Sequence, residues 1–212
     1  MNGPEVKNGS RIGVLAVQGD FGAHARALQR AGATPVLVKH PRDLEQVEGL
    51  ILPGGESTTV LKFLAEEGLL VAICEASALG TPMFGTCAGA ILMAREVANP
   101  SQPSLALMDI TIRRNAYGRQ VSSFIAGGNV CGISPDEPLE MVFIRAPIIE
   151  RTGPSVQVLG ECRGRPVLVR QGHLLAATFH PELTDDVRVH NLFLEMAKDR
   201  RSQPKGCHEV SR

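Results

Sequence analysis

The chain has 212 residues, a length that suits one domain with a sizeable core. Apolar residues make up 43% and charged residues 21%, the balance of a soluble globular protein. Its 22 Lys and Arg are offset by 22 Asp and Glu, so no global charge draws it to nucleic acid or to an anionic membrane. Without Trp, and with Tyr117 as its one Tyr, it lacks the aromatic platform on which single strands stack.

The first half alternates strand and helix. Ile12 to Val17 is a short apolar run, read as a buried parallel strand. Gly22 to Ala31 has helical apolar spacing and stops at Gly32; Thr34 to Val38 and Gly49 to Leu52 are further strands, the latter halted by Pro53-Gly54-Gly55. Ser57 is the expected N-cap of the next helix, followed by a second helical stretch from Leu69 to Leu79. A strand at Met83 then runs into a helix from Ala88 to about Arg95. This rhythm predicts an α/β fold: a three-layer, open, mostly parallel sheet with helices on both faces.

The second half adds strands, expected at Leu105 to Asn115, Gln120 to Ala126, Met141 to Arg145, Val156 to Cys162, Arg165 to Arg170 and Leu174 to Phe179. Turn signals at Arg163-Gly164 and Gln171-Gly172 make the last three antiparallel hairpins. Asp186 to Lys198 closes the domain as an amphipathic helix with a stripe of Val189, Leu192, Phe193 and Met196. The expected organisation is a flexible tail over 1–11, one domain over 12–198, and a flexible tail over 199–212.

Chemistry concentrates in three places. In Gly85-Thr86-Cys87-Ala88-Gly89, small residues flank a cysteine where a strand turns sharply into a helix. Such an elbow lifts a nucleophile out of the sheet, and the positive end of the helix dipole favours thiolate. The plainer alternative is a buried structural cysteine between turn-forming glycines. In Thr178-Phe179-His180-Pro181-Glu182, His180 sits where a strand leaves the sheet, with a carboxylate two residues on and on the same side. Alone, this is equally a surface histidine beside a solvated glutamate. With Cys87 it becomes the second half of a Cys–His–Glu triad. In Pro53-Gly54-Gly55-Glu56-Ser57, glycines between a strand and a helix let backbone amides approach an anion or an oxyanion, or merely form a helix entry. The loop is neither a P-loop nor a dinucleotide fingerprint.

The remaining histidines, His24, His40, His173, His190 and His208, have no ligand spacing, and no metal site is expected. His24 and His190 lie on helices and are expected at the surface. Cys74, Cys131 and Cys162 are expected to be small buried hydrophobes, and Cys207-His208 an inert part of the tail. The chain holds five cysteines without a C-x-x-C pair, which points to a reducing compartment. No apolar run approaches the roughly 20 residues that span a bilayer, and Met1 to Arg11 lacks a signal-peptide core, so the expected location is the cytosol.

Together the three elements resemble the class I glutamine amidotransferases. The blocks Val17-Gln18-Gly19, Leu52 to Thr59, Phe84 to Gly89, Arg114 to Gln120, Phe143 to Pro147 and Phe179 to Thr184 resemble, more narrowly, the glutaminase subunits of pyridoxal 5′-phosphate synthase. The resemblance runs from about Ile12 to Met196. The Gly-Gly-Glu-Ser-Thr and Arg-Asn-x-x-Gly-Arg-Gln blocks are its most specific parts.

The resemblance implies glutamine hydrolysis to glutamate and ammonia, without metal or organic cofactor. Cys87 would be the nucleophile, His180 the acid/base and Glu182 its orienter. Gly55, Glu56 and Ser57 would line the glutamine site, with Arg114 beside the substrate and Ile144 and Arg145 at its amino-acid end. The amides of Gly55 and Ala88 would form the oxyanion hole. Gln18 would face the pocket and the partner, a (β/α)₈-barrel synthase subunit in a hetero-oligomer, whose docking would activate a weakly active glutaminase. The alternatives are the glutaminase of another amidotransferase, or a redox-sensing protein with an elbow cysteine and no acid/base pair.

Overall fold

The computed structural model describes residues 9–114, 123–133 and 137–202. Outside them lie most of the Arg114 to Gln120 block, the start of the strand expected from Gln120, part of the loop Ala126 to Asp136, Cys207, His208 and most of both expected tails.

The inner strands of the central sheet follow from short apolar runs that bury both of their faces. Strands β1 (Arg11–Leu15), β2 (Thr34–Val38), β3 (Gly49–Leu52) and β4 (Met83–Thr86) pair in parallel. Strand β12 (Leu174–Ala177) joins β4 in parallel; β11 (Arg165–Gln171) and β10 (Gln157–Cys162) extend the sheet as antiparallel hairpins. Among the described residues this is a seven-stranded sheet of order β10-β11-β12-β4-β3-β1-β2.

Side-chain alternation splits the core in two. Leu15, Leu50, Leu52 and Met83 point to one face, packed against helices α2 (Ser57–Glu66), α3 (Leu69–Ala78) and α4 (Ala88–Met93). Ile12, Val14, Ile51 and Phe84 point to the other, under α1 (Phe21–Arg30) and α5 (Arg188–Ser202). A small sheet, β5 (Ala94–Ala98), β6 (Met108–Arg113) and β9 (Ile148–Thr152), adds to the first face. The hairpin β7 (Ser123–Gly128) with β8 (Leu139–Ile144) adds to the second.

Several expectations change. The helix after Cys87 stops at Met93, because Ala94 turns extended and the next residues pair with β6 as a strand. Local helix propensity in Ala-Arg-Glu-Val-Ala loses to that pairing. Strand β9 is an addition to the expected elements; β6 offers it an antiparallel edge. Helix α5 continues through Asp199 to Ser202, past the expected start of the tail, and Arg200 anchors that last turn on Thr81 Oγ1 at 2.7 Å. Its buried stripe is Val189, His190, Phe193, Leu194, Met196 and Ala197, with Leu192 half-buried. Glu56, not Ser57, caps α2: its carboxylate accepts from Thr58 N, while Ser57 is the first helical residue and is buried. Cys131 is exposed and Cys74 and Cys162 half-buried, so none of the three is the fully buried hydrophobe expected. Among the described residues no helix is long and apolar enough to cross a membrane.

Candidate active site

At the carboxyl end of β4 the chain leaves the sheet through Cys87 at φ 48°, ψ −103°, a conformation that non-glycine residues rarely adopt. The surroundings hold it there. Cys87 N donates to Ala177 O of the neighbouring β12 at 2.9 Å, and Cys87 O accepts from Ile91 N at 3.1 Å. The flanking glycines explain themselves by space. A Cβ on Gly89 would sit 1.9 Å from Leu52 O, and one on Gly85 would sit 2.6 Å from the backbone of Gly89. Only without them does α4 settle onto β3 and β4, with Cys87 at the elbow itself buried.

His180 follows β12 and is fixed from below by its own amide, which donates to Val142 O of β8 at 2.8 Å. Its Nδ1 lies 2.8 Å from Glu182 Oε1. Pro181 to Leu183 form one 3₁₀ turn that brings the carboxylate back to the ring. With Nδ1 engaged, Nε2 is the nitrogen left for the Cys87 thiol. Burial alone would lower the pKa of His180; hydrogen bonds with Cys87 and then Glu182 overcome this and raise it to about 10. Burial likewise works to raise the pKa of Glu182, and His24 and then His180 hold it below the ordinary carboxylate range.

Gly54 forms the floor between the two halves. A Cβ there would lie 2.6 Å from His180 Cε1 and 3.4 Å from Cys87 Cβ, so sulfur-bearing carbon and imidazole flank a single point. Cys87 and His180 stand far apart along the chain, and their meeting is thus a feature of the fold. The next residues crowd the same loop. A Cβ on Gly55 would lie 2.6 Å from Gln18 Oε1, and that oxygen accepts from Glu56 N at 3.0 Å. Gly19, at φ +92°, faces Gly54 O so closely that a Cβ would sit 1.8 Å from it. Gln18 therefore braces the glycine loop from behind.

Arg114 Nη2 reaches Glu56 Oε1 at 3.1 Å, tying the end of β6 to the cap of α2; Arg114 is largely covered and Glu56 is not. Ser57 turns its hydroxyl inward to Gln102 Oε1 at 3.0 Å, so it faces Gln102 and not open space. Ile144 is exposed and ends β8, two residues beyond the carbonyl that anchors His180; Arg145 follows, exposed and at φ 43°. Ala88 is buried as the first residue of α4, where its N–H has no partner within the helix. The structure thus brings Cys87, His180, Glu182, Gly54 and Ala88 together, with Gly55, Gln18, Glu56 and Arg114 along one side.

Two residues depart from their expected surface position. His24 and His190 are both fully buried, under the second sheet face. His24 Nδ1 lies 3.1 Å from His190 Nε2, and His24 Nε2 lies 3.0 Å from Thr86 Oγ1 and 3.4 Å from Glu182 Oε2. The signal is in the spacing: His24 shares its stripe with Ala23, Ala27 and Leu28, and His190 stands three before Phe193 and four before Leu194. Gln102 and Val142 carry no sequence signal of their own, and Gly54 stands in the glycine loop already singled out, where its place between Cys87 and His180 does not show.

The fold is that of the glutamine amidotransferases. A crystal structure described as a glutamine amidotransferase matches with a TM-score of 0.84 and 46% identity, covering 88% of this chain and 98% of that one. A chain in the structure of PurLQS from Thermotoga maritima shares the architecture at a TM-score of 0.60 and 17% identity, over 90% of this chain and 96% of its own. The sequence narrows this further: the chain belongs to the SNO glutamine amidotransferase family, which matches residues 14–199. Relatives named pyridoxal 5′-phosphate synthase subunit PdxT include that of Koribacter versatilis, 52% identical over 92% of this chain and 100% of its own length. That of Solibacter usitatus is 56% identical over 87% of this chain and 97% of its own.

Proposed function

We propose that this chain is the glutaminase of a pyridoxal 5′-phosphate synthase, hydrolysing glutamine and handing the ammonia to a separate (β/α)₈-barrel synthase subunit. The names of relatives at 52% and 56% identity over most of the chain support the assignment. The observation that carries the chemistry is the Gly54 floor, against which Cys87 and the Glu182-bound His180 both pack.

His180 holds the proton given up by Cys87, and the sulfur attacks the side-chain amide carbon of glutamine. The amides of Gly55 and Ala88 receive the oxyanion; one such donor is worth about 3–4 kcal/mol. His180 returns its proton to the leaving nitrogen, and ammonia departs. Water, deprotonated by His180, then opens the glutamyl thioester; the proton returns to the Cys87–His180 pair and glutamate leaves. Glu182 keeps the ring in one tautomer and steadies its charge. Gly55, Glu56 and Arg114 line the substrate on one side, with Ser57 behind them bonded to Gln102, and Ile144 and Arg145 stand at its amino-acid end. Gln18 and the loop at Gly54-Gly55 form the part that partner docking remodels, since a peptide flip costs glycine little.

The test is ammonia release from glutamine by the purified chain, with and without the synthase subunit, together with labelling of Cys87 by 6-diazo-5-oxonorleucine. Stimulation by the synthase and labelling lost in Cys87→Ala are expected. No release in either condition, or labelling elsewhere, would refute the assignment.

A further inference from the structure

Glu182 is almost entirely buried, and its two oxygens are treated unequally. Oε1 is bonded to His180, whereas Oε2 has no hydrogen bond of good geometry among the described residues. The donor-capable atom beside it is His24 Nε2, at 3.4 Å. A buried carboxylate oxygen facing an imidazole lone pair would be repelled. The same atom facing an N–H gains a charge-assisted hydrogen bond. The carboxylate therefore selects the tautomer of His24 with the proton on Nε2, shared between Glu182 Oε2 and Thr86 Oγ1 at 3.0 Å.

That choice propagates. With Nε2 protonated and the ring neutral, His24 Nδ1 is a bare acceptor. His190 Nε2, 3.1 Å away, must then be the donor. This leaves His190 Nδ1 as a lone pair, and that atom is buried with no hydrogen-bond partner among the described residues. A buried bare lone pair is the smaller liability, since a buried N–H without an acceptor would forfeit a donor to no end. One assignment therefore satisfies every contact in the chain of groups. Among the described residues no set of His, Cys, Asp or Glu is arranged to hold a metal, so the cluster is not read as a metal site.

We propose that His24 is a positioning residue for glutamine hydrolysis, its Nε2–H holding the second oxygen of Glu182 while His190, donating from α5, fixes the His24 ring from α1. The inference rests on the role given to Glu182 above. It gives Thr86, one residue before Cys87, a part in the same network, so the elbow and the His–Glu pair share one buried support. Burial favours the neutral form of both supporting rings: it lowers the pKa of His24 against the opposing pull of Glu182, and lowers that of His190 to about 3. The charged and titratable groups that bear on them are Glu182, His180, Asp20, Arg30 and Asp186.

The experiment compares His24→Leu with His24→Gln in the full chain, with and without the synthase subunit, measuring kcat, KM for glutamine and the pH profile. Gln places an amide N–H near the position of Nε2; Leu fills the space without a donor. His24→Leu should lose about ten- to a hundredfold in kcat, the range of a lost hydrogen bond to a buried charge, with KM within about twofold. Its acid limb should move to higher pH, because the Glu182 carboxyl then protonates more readily. His24→Gln should recover most of kcat and the original limb. Equal kcat in the two variants, or an unmoved acid limb, would overturn the inference while leaving wild-type hydrolysis intact. Absence of hydrolysis in the wild type would overturn the parent reading with it. Should either variant fail to fold, ¹⁵N spectra of the wild-type histidines decide instead. A proton on Nε2 of both His24 and His190 is expected, and a proton on Nδ1 of His24 would overturn the proposal.

Discussion

The two faces of the central sheet are equally dry but differ in composition. Beneath α2, α3 and α4 lies an apolar cluster from Leu15 and Leu50 to Ile73 and Ile110, to which those helices add only the small buried hydroxyls of Ser57 and Ser77. Beneath α1 and α5 the apolar cluster around Phe84, Phe179 and Phe193 encloses His24, His190, Thr86 and Glu182. Phe84 packs edge-on against both His24 and His190, at ring centroid distances of 6.3 Å and 6.1 Å. The core side chains of the first face stabilise, while those of the second also carry the polar support of the Cys87 elbow and the His180–Glu182 pair. Burying polar groups costs free energy unless each finds a partner, so a network this deep marks where structure serves chemistry.

Substitutions on the two faces should act on different properties of the protein. Cys87→Ala removes the reacting atom and should lower kcat by a factor on the order of 10⁶, with glutamine binding retained, as read by turnover and by calorimetric titration. Glu182→Gln keeps both reacting groups but loses the carboxylate that orients His180; a loss of roughly 10⁴ in kcat is expected, and unchanged turnover would remove Glu182 from the mechanism. Gly54→Ala drives a methyl group to 2.6 Å from His180 Cε1 and should cost about 10²-fold in kcat, with an overpacking loss of about 1–3 kcal/mol in stability. On the other face, Ile73→Ala should lower stability by about 2–5 kcal/mol in a denaturant titration and leave kcat of the folded fraction unchanged. A matching loss of kcat there would erase the distinction between the faces.

The smallest effect is on pH. His180 is raised to about 10, so between its unfolded value of 6.5 and that point the folded state binds the extra proton. Its stabilisation is full below 6.5 and fades as pH rises through about 10. His190 is lowered to about 3, so its stabilisation is full above 6.5 and fades as pH falls through about 3. The melting temperature should therefore peak near pH 6.5. In Cys87→Ala the alkaline decline should shrink, because burial already opposes the raised value and the contact with Cys87 leads the forces that support it.

Sequence alone determined the parallel sheet, since runs such as Gly49–Leu52 and Thr34–Val38 carry their own boundaries in glycine, proline and apolar pattern. It also singled out Cys87, His180 and Glu182, because an elbow needs small neighbours and a His-Pro-Glu turn is local. The tertiary structure decided what depends on partners distant in the chain. Strand β5 exists because β6 lies beside it, and Ala94–Ala98 does not show that alone. His24 and His190 look like surface residues one at a time. They become internal because α1 and α5, 166 residues apart at those positions, turn them toward each other and toward Glu182. Local pattern encodes backbone geometry and apolar faces; the pairing of two polar groups is a property of the space between elements, and no single stretch of the chain contains it.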